Sequence, residues 1–377
     1  MGPLNGFTVI ELAGIGPAPM AGMLLADQGA ELIRIDRAAS ETPPPLTRVS
    51  GRGKKSVVLN LKQAGGVETL LRMLENADVL IDPYRPGVCE KLGIGPQVCW
   101  RRNPRLVFAR MTGWGQDGPL ARAAGHDINY IALSGALFAN GERGGRPLPP
   151  LNLVGDFGGG AMLLVNGILA ALLEAANSGQ GQIVDAAMVD GAAQLMWMMH
   201  TLHAAGLWDA DRREANLLDG AAHFYNTYEC ADGEYVAIGA IEPRFYALLK
   251  DKAGLAEDEF GEQNNPERWP EQKRRLGEIM RQKTRQQWCE LMQGTDICFA
   301  PVLRFTEAAA HPAALARDAY ITLDGVPQPA PAPRYSRTPS RVAHAAPANG
   351  ADTDAILGAM GFAAREIHAL REAGAIG

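Results

Sequence analysis

Phe7-Thr8-Val9-Ile10-Glu11-Leu12 decides the fold, together with the helical stretch Met20–Gln28, closed by Gly29, and the run Glu31-Leu32-Ile33-Arg34-Ile35-Asp36. Two short apolar runs flank a segment with helical spacing, which is the pattern of a βαβ unit. The alternation continues along the chain. Val67, Leu70, Leu71 and Leu74 keep the i, i+3, i+4, i+7 spacing of an amphipathic helix, and Val79-Leu80-Ile81 and Leu106-Val107-Phe108-Ala109 are further strands. Strands separated by helices predict an α/β fold, a parallel sheet with helices on both faces.

A helical region from Gly160 to Ala176, a strand Gln182–Ala186 and a helix Met188–Gly206 extend this part. From His223 the texture changes. Tyr228–Ala231 and Glu234–Ala240 are strand-like, and Glu271–Met292 is a charged helix, together predicting a smaller α+β domain. Pro327–Ala348, rich in Pro, Ala and Ser, predicts an extended linker, followed by terminal helices at Asp352–Gly361 and Arg365–Ala373.

At 377 residues the chain exceeds one ordinary core, and 47% hydrophobic with 21% charged residues is a globular composition. A net charge of −6 argues against a nucleic-acid partner, which needs a basic face. The five cysteines are scattered with no Cys-x-x-Cys pair, so neither a disulfide framework nor a zinc site is indicated. No basic segment precedes Phe7–Leu12, and the most apolar stretch, Ala161–Leu173, is broken by Asn166 and Gly167 and is short for a bilayer. The expectation is a cytoplasmic protein with reduced thiols and no membrane partner.

Ligands of doubly wound sheets bind beyond the carboxyl ends of the strands. Arg37 follows the second strand, Tyr84-Arg85-Pro86-Gly87 the third, and Gly51-Arg52-Gly53-Lys54-Lys55 is expected as a loop after the second. Basic residues gathered on one edge of an acidic protein point to a phosphorylated ligand, held by Arg37, Arg52, Lys55 and Arg85. A dinucleotide is the alternative, because Gly14-x-Gly16 opens a βαβ unit. Pro19 stands where the third glycine of that fingerprint belongs.

Three further residues occupy positions seldom chosen for packing alone. His126 lies in Gly125-His126-Asp127-Ile128-Asn129-Tyr130, Asp156 between an apolar run and three glycines, and Glu242 at the end of a strand-like run before Pro243. An imidazole and two carboxylates suggest proton transfer. Each also has a bland reading: His126 and Asp127 as a satisfied buried pair, Asp156 and Glu242 as helix caps. His200 and His203 share a helix face, but no third metal ligand accompanies them, and the Met-rich run Met196–Met199 is expected as core rather than as an acyl pocket.

Several stretches carry a resemblance: Val9–Gly14, Leu24–Asp27, Arg34–Arg37, Gly51–Ser56, Gly125–Tyr130, Pro150–Asp156, Gly239–Pro243 and Pro333–Pro339. In this order they make the chain similar to the family III CoA-transferase superfamily, and within it to the α-methylacyl-CoA racemase family. The resemblance implies an interlocked homodimer, each subunit with a large Rossmann-like domain over residues 1–222 and 330–377 and a small α+β domain over 223–329, in which Glu242 of one subunit's small domain reaches His126 of the other's large domain. It also implies that Arg37, the run Leu59-Asn60-Leu61-Lys62, and Gly125, Ile128, Asn129 and Tyr130 contact coenzyme A or the acyl thioester. Asn60 departs from the family's pattern, which has an aspartate there.

The implied reaction is inversion at the carbon next to a thioester carbonyl, without a cofactor. It needs two proton carriers on opposite faces of the substrate, expected to be His126 and Asp156, the latter with a pKa raised by burial. Glu242 would orient His126, a backbone N–H near Asp127 would hold the thioester oxygen, and Asp127 itself would cap, orient or act. The rival activities are CoA transfer between carboxylates through an Asp156 thioester, and catalytically silent CoA binding.

Overall fold

The structure, a computed structural model, describes residues 2–377 and divides into two compact units. The first takes in the chain up to residue 134, residues 150–196 and residues 318–377. It contains β1 (Thr8–Leu12), β2 (Glu31–Asp36), β3 (Lys54–Val58), β4 (Val79–Asp82), β5 (Val107–Thr112) and β6 (Ile183–Ala187), ordered β3-β2-β1-β4-β5-β6. Every neighbouring pair is parallel. The order reverses between β1 and β4, and at such a switch point a crevice opens outside the carboxyl ends of the strands.

Helices α1 (Pro17–Asp27), α2 (Ala64–Leu74), α3 (Val88–Lys91), α4 (Pro96–Arg102), α5 (Asp127–Leu133), α6 (Leu163–Ser178) and α7 (Met188–Leu195) belong to the same unit. Successive strand residues point to opposite faces, so Val9, Leu32 and Val107 pack with Leu25 of α1 and Ile168 of α6, while Ile10, Ile33 and Phe108 pack with Leu70 and Leu74 of α2. Both faces are covered, which is why the strands read as near-continuous apolar runs.

The sequence reading misses β3 altogether, and with it the role of Arg52 and Lys55. Lys54 and Lys55 lie inside the strand, and because β3 runs parallel to β2 its start faces away from the carboxyl edge of the sheet. Arg52 is buried, forking onto Asp27 at 2.6 and 3.1 Å and donating to Gln328 Oε1 and Pro329 O. Lys55 pairs with Glu31 at 2.5 Å on the surface. Neither lines a ligand cavity, so both leave the set of phosphate contacts. Lys54 is tied to Glu11 at 2.6 Å, both fully buried, and also donates to Pro19 O.

The dinucleotide alternative also loses its footing. Helix α1 begins at Pro17, not Met20, with Gly16 as its N-cap. Pro17 and Pro19 therefore remove two of the first-turn N–H donors that would cradle a pyrophosphate. Asp36, placed for a ribose, is buried and already accepts bonds from Arg34 at 2.8 Å and Ser56 at 2.6 Å.

The helix expected from Gly160 starts earlier, as a π-helix over Leu153–Met162 that runs into α6. Together they make a 26-residue apolar helix, long enough by length and composition to cross a membrane. In this fold it is a core helix, burying Leu164, Ile168 and Leu172 against the sheet. Pro327–Ala348 is extended but anchored: Arg341 N–H donates to Asp27 O, Tyr335 to Gln28, and Gly53 N–H to His344 O.

The second unit comprises residues 135–149 and 197–317. Residues 135–149 and 197–222 thus cluster with it, and 318–329 with the first unit; Arg143 bonds Glu214, and Ala221 and Ala222 enter the second core, whereas Gln328 is held by Arg52. Its sheet is antiparallel, β7 (Tyr225–Glu229), β8 (Tyr235–Gly239) and β9 (Phe299–Pro301). The expected single helix Met188–Gly206 is two, α7 and α8 (Trp197–Ala204), and Trp197 and Met198 are exposed rather than core. The charged helix is also two, Trp269–Met280 and Arg285–Met292, separated where Thr284 and Gln287 form a capping box.

Candidate active site

Two cavities open along the carboxyl edge of the parallel sheet, and both belong to the first unit. One, of about 480 Å³, sits at the switch point between the turns after β1, β4 and β5. His126, Asp156, Gly125, Tyr130 and Arg85 all line it, with Ile15, Pro83, Met111 and Met188 supplying apolar walls.

His126 is the N-cap of α5. Its own N–H donates to Asn129 Oδ1 at 3.0 Å, so Asn129 is occupied holding the helix start. The N–H groups of Asp127 and Ile128, first and second in the helix, have no intrahelical acceptor. Asp127 is buried behind the cleft, where its Oδ1 accepts from Asp156 N–H at 2.8 Å and its Oδ2 has no partner. The N-cap is His126, and Asp127 holds the backbone of Asp156. Gly155 makes this contact possible: a Cβ there would lie 2.6 Å from Asp127 Oδ1.

Asp156 rides on the first turn of the π-helix, half-buried, with Oδ2 accepting from Asn152 at 3.0 Å. Desolvation pushes its carboxyl above the ordinary range, with the Asp127 charge adding to the rise and the Asn152 bond and His126 opposing it. The rise expected from the sequence is present. The carboxylate faces the turn after β1, since a Cβ on Gly16 would sit 3.6 Å from Oδ2. Tyr130, edge-on to Trp114 at 4.8 Å between centroids, donates its hydroxyl to Gly125 O at 2.5 Å and so shapes the loop before His126.

The second cavity, of about 660 Å³, lies beyond β2 and β3 and is lined by Arg37, Leu59, Asn60, Leu61 and Lys62. Tyr84 lines both cavities, with the Arg37 guanidinium 5.6 Å from its ring centre. Leu59 is buried in the core, so it offers backbone. Asn60 spans a turn, accepting from Lys62 N–H and donating to Gly374 O at 3.2 Å, a bond an aspartate could not give. Gly374, Ile376 and Gly377 form a wall of this cavity that the sequence did not suggest. Ile128, Asn129, Arg52 and Lys55 line neither cavity.

In the second unit, Glu242 is the exposed N-cap of α9 (Pro243–Ala253), with Pro243 at the first helical position. Its carboxylate makes no capping bond, so that role is unfilled. Gln263 pins the backbone just before it, donating to Ala240 O and Ile241 O. Among the described residues no group of three or more His, Cys, Asp or Glu is placed to hold a metal.

Residues 4–353 match the model of CoA-transferase family III. The chain belongs to that family. It is 46% identical over 367 residues to alpha-methylacyl-CoA racemase from Mus musculus, covering 97% of this chain and 95% of the relative. Identity to the Homo sapiens racemase is 44% over 369 residues, covering 97% and 96%. The probable fatty acyl-CoA transferase Rv3272 of Mycobacterium tuberculosis is 31% identical over 324 residues, covering 78% and 81%. A crystal structure of Rv3272 superposes with a TM-score of 0.79 at 26% identity, covering 94% of this chain and 99% of that one.

Proposed function

We propose that the chain interconverts (R)- and (S)-2-methylacyl-CoA thioesters by removing and returning the α-proton, with no cofactor. The observation that carries this reading is the convergence of His126 and a half-buried Asp156, its carboxyl pushed above the ordinary range by desolvation, on one cleft. Identity to two racemases over 97% of the chain supports it. One residue takes the proton from the α-carbon while the electron pair moves onto the thioester oxygen. The other, already protonated, delivers a proton to the opposite face. Imidazole is a side-chain type suited to either role, and burial, which favours the protonated form of a carboxyl, suits Asp156 to the return. A backbone N–H near His126 and Asp127, at the start of α5, would hold the enolate oxygen.

The nucleotide end of coenzyme A would occupy the second cavity, against Arg37 and Leu59–Lys62, with its arm passing Tyr84 and Arg85 to bring the thioester to His126. Glu242 of a second copy would orient that imidazole, as the family resemblance implies. Five cysteines that are all free thiols support a cytoplasmic setting.

CoA transfer is the second reading, favoured by the transferase relative and by a carboxylate, Asp156, facing the cleft as a nucleophile would. Proton NMR of an (R)-2-methylacyl-CoA in D₂O decides between them. Racemisation predicts loss of the α-proton signal with both epimers formed. An unchanged α-centre, with CoA passing to an added carboxylate and a thioester trapped on Asp156, would instead establish transfer. If His126→Ala, Asp156→Ala and Glu242→Gln all matched an active wild type, the site assignment would be wrong; a wild type that binds coenzyme A but carries out neither reaction would be a CoA binder only.

A further inference from the structure

The turn shared by the two cavities, Pro83–Gly87, carries Tyr84 and Arg85 and is closed at both ends by acids. At its start Asp82, buried at the end of β4, accepts Tyr84 N–H at 2.9 Å through Oδ1. At its far end Glu90 stands on α3. Both face one guanidinium, that of Arg110 on β5, itself only 8% exposed. Its terminal nitrogens donate to Glu90 Oε1 and, at 2.6 Å, to Gln116 Oε1. Its Nε, buried without a hydrogen-bond partner, lies 3.9 Å from Asp82 Oδ2. Gln116 in turn fixes the loop bearing Trp114, its N–H donating at 3.1 Å to Asp185, a third carboxylate that feels the Arg110 charge.

We propose that Arg110 is a positioning residue that holds the Tyr84–Arg85 turn in the shape that grips the coenzyme A arm between the two cavities. This role rests on acyl-CoA being the ligand of the cleft. Arg110 reaches neither cavity wall itself, yet two elements framing the cleft, α3 and the Trp114 loop, end on its fork, and Asp82 at the head of the β4–α3 turn lies beside it. Only a planar guanidinium can serve Glu90 and Gln116 at once while lying beside Asp82; an ammonium keeps the charge but not the fork. Without the cation, Asp82 is left buried with Glu90 as its like-charged neighbour, and that repulsion pushes the turn outward.

The test is the affinity for free coenzyme A by calorimetry, with kcat and KM for a 2-methylacyl-CoA, in Arg110→Met, Arg110→Lys and Glu90→Gln. Losing an outer residue that orients a contact typically weakens affinity about tenfold or more. Arg110→Met is therefore expected to raise Kd and KM about tenfold while kcat falls much less, with Arg110→Lys and Glu90→Gln intermediate. Asp82→Asn, which keeps the acceptor for Tyr84 N–H and removes the charge, should restore part of the affinity in the Arg110→Met background. Should Arg110→Met not fold, the Lys and Glu90→Gln variants carry the same reading. Folded variants with wild-type Kd and KM, or with lowered melting temperature alone, would overturn the proposal. Wild-type protein that fails to bind coenzyme A would overturn the acyl-CoA reading instead, which keeps the two failures apart.

Discussion

Replacing His223 with leucine should remove an acid-sensitive weakness from the second unit. His223 is fully buried, with its ring near Phe224, Tyr246 and Phe260 at centroid distances of 5.1, 5.4 and 5.8 Å. Its Nε2 lies 2.7 Å from the Tyr246 hydroxyl, which itself donates to Phe260 O at 2.8 Å. The hydroxyl proton is thus committed, Nε2–H is the donor, and Nδ1 remains buried without a partner. Burial pushes the imidazole from 6.5 down to about 4. Between those values the unfolded chain binds a proton that the native unit refuses, so stability rises with pH across the window and is lost as pH falls from about 6.5 to about 4. A gap of about 2.5 units corresponds to about 3 kcal/mol. At pH 7.5 the leucine variant should lie near wild type. The lost Tyr246 bond costs about 1 kcal/mol, and removal of an unpartnered buried nitrogen offsets it. By pH 4 the variant should be the more stable by about 3 kcal/mol. Hydrogen exchange of the β7 and β8 amides, measured across this range, reads the second unit alone. Parallel pH profiles for the two proteins, or a native His223 ring titrating near 6.5 by NMR, would refute the reasoning.

The same geometry yields other outcomes. Asn152→Ala removes the bond that holds the Asp156 carboxyl down, so its pKa should rise further and the limb of the pH–rate profile it governs should move to higher pH. An unmoved limb would separate Asp156 from that titration. Arg52→Met leaves Asp27 buried without its cation and cuts the bonds to Gln328 and Pro329; it should cost about 3–5 kcal/mol in urea unfolding, less at low pH where Asp27 protonates. Gly155→Ala should push Asp127 off the Asp156 backbone and lower kcat without abolishing coenzyme A binding, measurable by pairing kinetics with calorimetry.

Which parts of this molecule the sequence makes legible depends on where the compensating groups lie. The parallel sheet is legible because strands covered on both faces must be apolar nearly throughout, as Val9-Ile10 and Leu32-Ile33 are. Strand β3 is hidden because Arg52, Lys54 and Lys55 have the composition of a solvated loop, while their partners Asp27, Glu11 and Glu31 stand 24 to 43 positions away. The Asp156 carboxyl is legible in type and in the direction of its shift, because an apolar run and glycines around an acid can only desolvate it. Its partner Asn152, and its contact with Asp127, itself a candidate from the sequence, are not, since a π-helix has no distinctive spacing in the residues that form it. Tyr84 was within reach: it follows β4 at the carboxyl edge, where any residue of a doubly wound sheet faces the crevice. The wall at residues 374–377 was not, because the contact of Asn60 with Gly374 spans 314 positions and nothing local encodes it. That bond also gives the departure at position 60 a reason within the chain itself: an amide both accepts from Lys62 N–H and donates to the closing segment, so restoring a carboxylate there should loosen that wall of the cavity rather than repair it.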